Sequence, residues 1–336
     1  MNIKKLAAAL GMALGLVLLP ASGLLAHAPD APSLETVASF NPAALETPES
    51  IAIDLDGNRY ISLVMTGEIR KIAPDGSQST FALLPIGPPL SICGPFFNGV
   101  AGITIDVHGT VYASVLACDP DKRGIWKITQ DGEAEILATL PMGALPNGIA
   151  LYRGDLYAAD SFMGRIWRVP AEGGTAEVWS DDPSLAPPPP HPVLGPLPGA
   201  NGLQVFRKEI YVANSGTSEI LAFPVEPDGS AGAPRVHAVL PGGQGCDDFA
   251  FDVRGNIYCT TDPFLTVVKI APDGSSEIIL TAADGLDGPT AASFGRTGQD
   301  RFNLYITNAA FPFFSTTHQP SLMRLHLDVP GEPPAW

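Results

Sequence analysis

Short runs in which apolar and polar residues alternate recur along the chain, separated by turn residues. Six of the seven tyrosines occupy the same place in this repeat, with a mean spacing of 49 residues, at positions 60, 112, 157, 211, 258 and 305. The unit around Tyr112 reads "AGITIDVHGTVYAS", "GIWKITQDG" and "EAEILATLP". Each unit therefore predicts four short antiparallel strands joined by Gly, Asp and Asn turns.

Six such units predict an all-β fold, a six-bladed β-propeller with four-stranded antiparallel blades. The sixth unit lacks its last run, whereas residues 34–42, "LETVASFNP", have the composition of the other outer strands. An N-terminal strand that completes the last blade closes the ring and removes a free sheet edge. The alternative, a flat β-solenoid, would need no such exchange of chain ends.

The N-terminal residues have the pattern of a secretory signal peptide. Lys4 and Lys5 precede an uncharged apolar run over residues 6–19, and small residues follow it. We predict a signal peptide at residues 1–28, cleaved at about 23–28, and the propeller at residues 29–336. The apolar run is short for a membrane span. We therefore expect a periplasmic or secreted protein with no membrane anchor after cleavage.

Composition narrows the classes of partner. The 336 residues include 19 basic and 35 acidic side chains, for a net charge of −16, and this charge disfavours nucleic acid and anionic lipid. The 35 glycines and 34 prolines exclude long helical bundles. We expect a monomer that takes a small-molecule substrate and has no nucleic-acid partner.

In a propeller the inner strands line a central channel, so their first residues meet at one mouth. In the register of the repeat these positions are Glu49, Ala101, Asn147, Asn201, Asp247 and Thr290. Two carboxylates facing each other across a channel repel unless a cation or a proton lies between them. Carboxylate and amide oxygens without sulfur or imidazole suit Ca²⁺, with Mg²⁺, Mn²⁺ or Zn²⁺ as alternatives. A plain polar lining is the other interpretation.

With these residues the chain resembles the senescence-marker/gluconolactonase-like six-bladed propellers, which are related in fold to strictosidine synthases and paraoxonases. The resemblance covers the whole mature chain. It implies a divalent metal, often Ca²⁺, bound by Glu49, Asn201 and Asp247, with Asn147 beside it. The chain departs from the family in one motif, because Ser-Ile follows Glu49 where the family commonly has Gly-Pro.

The resemblance also implies a reaction. A metal with an open position polarises a lactone or ester carbonyl, while a carboxylate deprotonates the attacking water. The family assigns the base to the position of Asp247, and Asn147 resembles a substrate-positioning residue. Strand alternation predicts that Asp248 points to the opposite face. The alternatives are a non-hydrolytic enzyme, either an isomerase or strictosidine-synthase-like, and a non-catalytic binding propeller with a structural calcium.

Three long proline-rich loops are predicted at the same mouth, and two of them carry phenylalanines: Phe96, Phe97, Phe311, Phe313 and Phe314. They predict an apolar lid and a substrate of apolar character. The alternative is that these rings only pack the loops onto the blades. His191 and His318 are the two histidines predicted to overhang the mouth.

Export makes the four cysteines candidates for disulfides. Cys93 and Cys118 are predicted to pair, because both lie in loops at the same mouth. Cys246 and Cys259 are predicted to be a poor pair, since a regular hairpin with Phe249 opposite Cys259 places them on opposite faces. Four free thiols are the alternative.

Overall fold

The computed structural model of the chain describes residues 34–336 apart from 89–90, 94–95, 191–195, 313–314, 316 and 335–336, and without the side chains of 92, 93, 96 and 97. The predicted signal peptide lies outside the described residues. Within these ranges no helix has the length and apolar character needed to cross a membrane.

The described residues form six four-stranded antiparallel sheets and one two-stranded hairpin. In chain order the strands are β1 (Leu34–Ser39), β2 (Pro48–Ile53), β3 (Arg59–Leu63), β4 (Glu68–Ile72), β5 (Gln78–Leu83), β6 (Ile92–Cys93), β7 (Phe96–Phe97), β8 (Gly99–Ile105), β9 (Val111–Leu116), β10 (Gly124–Ile128), β11 (Ala134–Thr139), β12 (Pro146–Tyr152), β13 (Asp155–Asp160), β14 (Arg165–Pro170), β15 (Glu177–Ser180), β16 (Ala200–Phe206), β17 (Glu209–Asn214), β18 (Glu219–Pro224), β19 (Arg235–Val239), β20 (Phe249–Phe251), β21 (Ile257–Thr261), β22 (Thr266–Ile270), β23 (Ser276–Leu280), β24 (Pro289–Phe294), β25 (Asn303–Asn308) and β26 (Ser321–His326). Short 3₁₀ helices in the loops span Pro42–Ala44, Pro183–Leu185, Pro241–Gly243, Ala282–Asp284 and Gly298–Phe302.

The sheets are the six predicted blades. Blades one to five are β2–β5, β8–β11, β12–β15, β16–β19 and β20–β23, and blade six is β24, β25, β26 and β1. Strand β1 lies antiparallel to β26, with Glu35 opposite Arg324. The six inner strands pack against each other in a closed ring. The predicted fold and its closure by the N-terminal strand are therefore confirmed.

The apolar core lies between neighbouring blades. Tyr60 of blade one packs in the same cluster as Ile103 and Trp126 of blade two. All six repeated tyrosines are buried on the second strand of their blades. Tyr60 Oη donates to Asp54 Oδ2 at 3.2 Å in the hairpin that joins β2 and β3. The tyrosine repeat therefore reflects one packing position that every blade fills in the same way.

Each inner strand carries a β-bulge, in which two consecutive residues face one residue of the second strand. In blade four Ala200 pairs with Asn214 but Leu203 pairs with Val212, so the register shifts by one between them. The bulged pairs are Glu49–Ser50, Ala101–Gly102, Asn147–Gly148, Asn201–Gly202, Asp247–Asp248 and Thr290–Ala291. The first member of each pair is the position that the sequence predicted at the mouth.

Hydroxyl side chains connect these bulges from blade to blade. In five blades a Ser or Thr at or just after the second strand donates to a backbone carbonyl at the next blade's bulge: Ser62 to Ala101 at 2.7 Å, Ser161 to Ala200 at 2.8 Å, Ser215 to Cys246 at 2.6 Å, Thr260 to Thr290 at 2.9 Å and Thr307 to Glu49 at 3.3 Å. In blade two Ser114 Oγ is buried without a partner among the described residues. These bonds fix the inner strands relative to one another.

One cysteine prediction is wrong, because Cys246 and Cys259 form a disulfide with their Cα atoms 5.8 Å apart. Phe249 does pair with Cys259, as expected. However, the N–H of Asp247 and the C=O of Asp248 both bond to the backbone of Thr260, so the strand contains one extra residue. This shift turns Cys246 to the face of Cys259. Cys118 is also disulfide-bonded, and the side chain of its predicted partner Cys93 lies outside the described residues.

We expect the Cys246→Ala/Cys259→Ala double variant to lose about 3 kcal/mol of unfolding free energy, the usual effect of a crosslink closing a loop of about 15 residues. Urea unfolding without reductant measures it. With reductant present during unfolding, the difference from wild type should shrink, because the unfolded wild-type chain then loses its crosslink. Equal stability of the two proteins without reductant would contradict the expectation.

Candidate active site

The structure brings three of the predicted residues together at the mouth of the channel. Asn201, which is 4 % exposed, donates from Nδ2 to Asp247 Oδ1 at 2.7 Å and to Ser215 Oγ at 2.9 Å. These two bonds fix the amide and leave Asn201 Oδ1 buried without a hydrogen-bond donor from the described residues. Glu49 Oε2 is also buried without a hydrogen-bond donor from the described residues. Buried oxygens in this state are costly unless another group binds them.

The carboxyl groups at the mouth have raised pKa values. Burial, followed by the charges of Asp262 and Asp248, raises the pKa of Glu49 to about 8. Burial and the charge of Glu49 hold the pKa of Asp247 well above its ordinary value. Burial raises the pKa of Asp248 to about 7, and burial with the charge of Asp287 raises the pKa of Asp262 to about 6. The mouth is therefore a place where negative charge is unfavourable and a cation is favoured.

The structure corrects the orientation predicted for Asp248. Alternation along a regular strand places it opposite to Asp247, but the bulge sets both residues against Thr260 and breaks the alternation. Asp248 Oδ1 accepts hydrogen bonds from Phe249 N at 2.8 Å and Gln204 Nε2 at 3.4 Å. Its charge contributes to the raised pKa values of Glu49 and Asp247.

Sequence reasoning missed Asp262 and Ser215. Asp262 lies in the loop between β21 and β22, outside the repeated positions that were compared. Ser215 follows β17 and accepts from Asn201 while it donates to Cys246 O. One sequence signal could have found the serine, because Ser161 occupies the same place in the other unit with an Asn-Gly pair.

The glycines after the bulge residues allow neighbouring blades to approach closely. A Cβ on Gly202 would lie 2.5 Å from Asp247 O, and one on Gly148 would lie 2.6 Å from Asn201 O. Gly202 N also donates to Asp247 O at 2.8 Å. The Asn-Gly pairs are therefore not turns. Their glycines bring the backbone of one candidate ligand against the next blade.

The remaining predicted positions, Asn147, Thr290 and Ala101, have fewer contacts with the three residues that the structure brings together. Asn147 is half-buried at the bulge of blade three, and no hydrogen bond among the described residues joins its side chain to the other three candidate ligands. Thr290 Oγ1 donates to Pro48 O at 3.2 Å and packs in the blade boundary. Ala101 contributes only a methyl group at its position in the ring.

The donor set fits a hard divalent cation. Within the described part of the chain, no three His, Cys, Asp or Glu side chains form a metal-binding group. The candidate set instead combines the two carboxylates Glu49 and Asp247 with the amide oxygen of Asn201. Two observations indicate that this set fits a cation: two of its oxygens are buried without donors, and its carboxyl groups have raised pKa values. Oxygen-only ligands of this kind are those of Ca²⁺.

Two residues of the predicted lid region lie within the described part of the chain. Phe311 lines a small cavity beside Asp262, and His318 is exposed in the loop after β25. His191, Phe313, Phe314 and the side chains of Phe96 and Phe97 lie outside the described residues.

Comparison with known proteins agrees with the resemblance. Residues 191–310 match the model of the SMP-30/gluconolactonase/LRE-like region. No curated protein matches the chain significantly. The fold of the chain is shared by a luciferin-regenerating enzyme of known structure (16 % identity, 90 % of this chain and 98 % of that chain covered, TM-score 0.67). It is also shared by a gluconolactonase from Xanthomonas campestris (17 %, 89 % and 90 %, TM-score 0.63) and a calcium-binding protein, regucalcin, from Agrobacterium tumefaciens (14 %, 90 % and 96 %, TM-score 0.62). The predicted resemblance to gluconolactonase-like propellers is confirmed.

We expect Gly202→Ala to destabilise the protein by about 1–3 kcal/mol, the usual effect of overpacking, because the new Cβ would meet Asp247 O. Gly143→Ala is the matched control, since its Cβ would meet only the flexible Met163 side chain at 3.8 Å. Urea unfolding of both variants measures the effect. Equal stability of the two variants would show that blades four and five are not in such close contact.

Proposed function

We propose that this protein hydrolyses a lactone or an ester with a divalent cation, most simply Ca²⁺, bound by Glu49, Asn201 and Asp247 with Asn147 beside it. The observation that carries the proposal is the pair of buried oxygens without donors, Glu49 Oε2 and Asn201 Oδ1, in a mouth crowded with carboxyl groups. The gluconolactonase-like match over residues 191–310 supports the type of reaction.

The residues of the chain have separate tasks in such a reaction. A bound cation would polarise the substrate carbonyl and offset the negative charge that develops on its oxygen. Asp247, whose pKa is raised by burial and by Glu49, accepts a proton from the attacking water. Asn201 holds Asp247 Oδ1 in place, and Ser215 holds Asn201. Asn147 orients the substrate at the same mouth.

The C-terminal segment lies at the other end of the channel. Glu332 N donates to Phe251 O at 2.9 Å, and Gly331 N donates to Arg301 O at 2.8 Å. Pro333 and Pro334 line the channel together with inner-strand residues.

A binding propeller with a structural cation is the second candidate. It is favoured by the origin of the ligands, since Glu49, Asn201 and Asp247 come from blades one, four and five. An ion held by all three would tie these blades together without any turnover. Hydrolysis that depends on the cation would favour the enzyme, whereas cation binding without any hydrolysis would favour the binding propeller.

The carboxyl groups predict how the stability of the metal-free protein depends on pH. The folded-state pKa values of Glu49 (about 8) and Asp248 (about 7) lie above those of the unfolded chain, near 4. The folded state then binds more protons, so the unfolding free energy should fall as pH rises from about 4 to about 8, by up to ~1.4 kcal/mol per pH unit for each proton held. Urea unfolding in chelator measures this slope.

Added Ca²⁺ should reduce the fall of the unfolding free energy with pH, because a bound cation stabilises the ionised carboxylates. In chelator, Glu49→Gln should also reduce it, because one of the titrating groups is then absent. Asp273→Asn is a control, since this exposed carboxyl lies in the outer hairpin of blade five. An unfolding free energy that rises with pH in chelator would contradict the assignment of the buried carboxyl groups.

Catalysis gives a separate prediction. Against a panel of lactones and esters, chelator should abolish the rate and Ca²⁺ should restore it. Asp247→Asn keeps an oxygen ligand but removes the proton acceptor, so the rate should fall by roughly 10²- to 10⁴-fold. Asp273→Asn should keep the wild-type rate. Hydrolysis that persists in chelator, or in Asp247→Asn with metal bound, would refute the proposed mechanism.

A further inference from the structure

A small cavity opens beside the candidate site, between the loops of blades five and six. Its volume is about 160 Å³, and its lining includes Asp262, Leu265, Asp287, Gly288, Phe311 and Ser315. At roughly 30 Å³ per heavy atom, the share of one water in the liquid, it holds about five heavy atoms. The cavity is therefore large enough for a small group at the end of a substrate, but not for a whole substrate.

The two carboxylates of the cavity differ in their partners. Asp287 Oδ2 accepts hydrogen bonds from Ser315 Oγ at 2.8 Å, from Thr317 Oγ1 and from Gln319 N at 3.2 Å. Asp287 therefore holds the loop that follows β25. Asp262 is partly exposed, and none of the described residues donates a hydrogen bond to its carboxylate. Asp262 is the carboxylate available to a ligand.

Charge around Asp262 is unbalanced. The cavity is linked to the candidate site through Gly288, which lines it two residues before Thr290, the residue that donates to Pro48 O next to Glu49. The carboxylate of Asp262 also contributes to the raised pKa values of Glu49 and Asp247. A divalent cation bound by Glu49 and Asp247 would neutralise the charges of those two residues and leave those of Asp262 and Asp248. Burial and Asp287 raise the pKa of Asp262 to about 6, which leaves it ionised at neutral pH. A second positive charge is therefore favoured in the cavity.

One side of the cavity is apolar. Leu265 and Phe311 line it beside the carboxylate, and the neighbouring Phe264 is 41 % exposed. An aromatic ring beside a carboxylate favours an organic cation, because the ring face attracts positive charge and the carbons of the cation lose contact with water. A hydrated metal ion gains nothing from such walls. A trimethylammonium group with its adjoining carbon has five heavy atoms, about the number that the cavity holds.

We propose that this cavity binds a cationic group of the substrate, an ammonium that pairs with Asp262 while its carbons pack against Leu265 and Phe311. The substrate would then be an ester or lactone whose reacting carbonyl lies a few bonds from an alkylammonium. The reaction in this statement rests on the proposed function, whereas the binding of the cation does not.

A matched pair of substrates tests the charge alone. Acetylthiocholine and its carbon isostere 3,3-dimethylbutyl thioacetate have the same shape, and each releases a thiol that can be measured. For the wild-type protein with Ca²⁺, the kcat/KM of the cationic ester should exceed that of the neutral one at least ~10-fold, and Asp262→Asn should lower this ratio ~10- to 100-fold, as expected for a lost charge-assisted contact. Asp273→Asn, on the outer hairpin of the same blade, should keep the wild-type ratio.

Asp262→Glu distinguishes the loss of the charge from a structural defect of the Asp262→Asn variant. It keeps the negative charge, so the ratio of the two kcat/KM values should return part of the way to the wild-type value. The ratio should also fall with ionic strength in the wild-type protein. A wild-type ratio near one, or a ratio that Asp262→Asn leaves unchanged, would overturn the proposal.

Calorimetric titration with butyltrimethylammonium, with 3,3-dimethylbutanol as the neutral control, tests binding without turnover. If neither ester is hydrolysed but the ammonium binds wild type and not Asp262→Asn, the cavity assignment holds and the hydrolase proposal fails. If both esters are hydrolysed at equal rates and the ammonium does not bind, the hydrolase proposal holds and the cavity assignment fails. Two bound Ca²⁺ ions in wild type and one in Asp262→Asn would make the cavity a metal site and overturn the proposal.

Discussion

The structure depends on one backbone feature, the β-bulge at the top of each inner strand. A bulge places two residues against one and redirects their side chains, and here it occurs in all six blades at the same place. A Ser or Thr hydroxyl in five blades bonds to a carbonyl of the next blade at this level, as Thr307 does to Glu49 across the closing boundary. The bulges are thus held relative to each other, and side chains from distant blades meet at one mouth.

This arrangement gathers charges that would not stay together otherwise. Glu49 and Asp247 come from different blades, and burial raises the pKa of both. Buried carboxylates without a counter-charge reduce stability, so the mouth has its full stability only with protons or a cation bound. The inter-blade bonds and the Cys246–Cys259 disulfide hold the backbone around Asp247 while the carboxyl groups repel each other. The same features that strain the metal-free mouth would bind a cation well.

The two sides of the mouth have different chemistry. The side formed by Glu49, Asn201 and Asp247 offers hard oxygens, which favour a metal ion. The side formed by Asp262 and Phe311 combines a carboxylate with the apolar side chains of Leu265 and Phe311, which favours an organic cation. With the proposed cation bound, a substrate that spans both sides would place its carbonyl beside that cation and its charged group in the cavity. Affinity for the cationic group would then orient the reacting bond, an effect that contributes to catalysis through positioning.

The sequence by itself determined the propeller, its six blades, its closure by the N-terminal strand and the ring of residues at the mouth. It could do so because every blade repeats the same local pattern, so a comparison in one register locates equivalent positions. The side chains that depend on the bulge could not be predicted, because one extra residue reverses strand alternation without leaving a periodic signal. Cys246 was therefore predicted on the wrong face, and so was Asp248, which like Asp247 accepts a hydrogen bond from a side chain of blade four. Asp262 was missed because it lies in a loop outside the repeat, and only the tertiary structure brings that loop to the mouth.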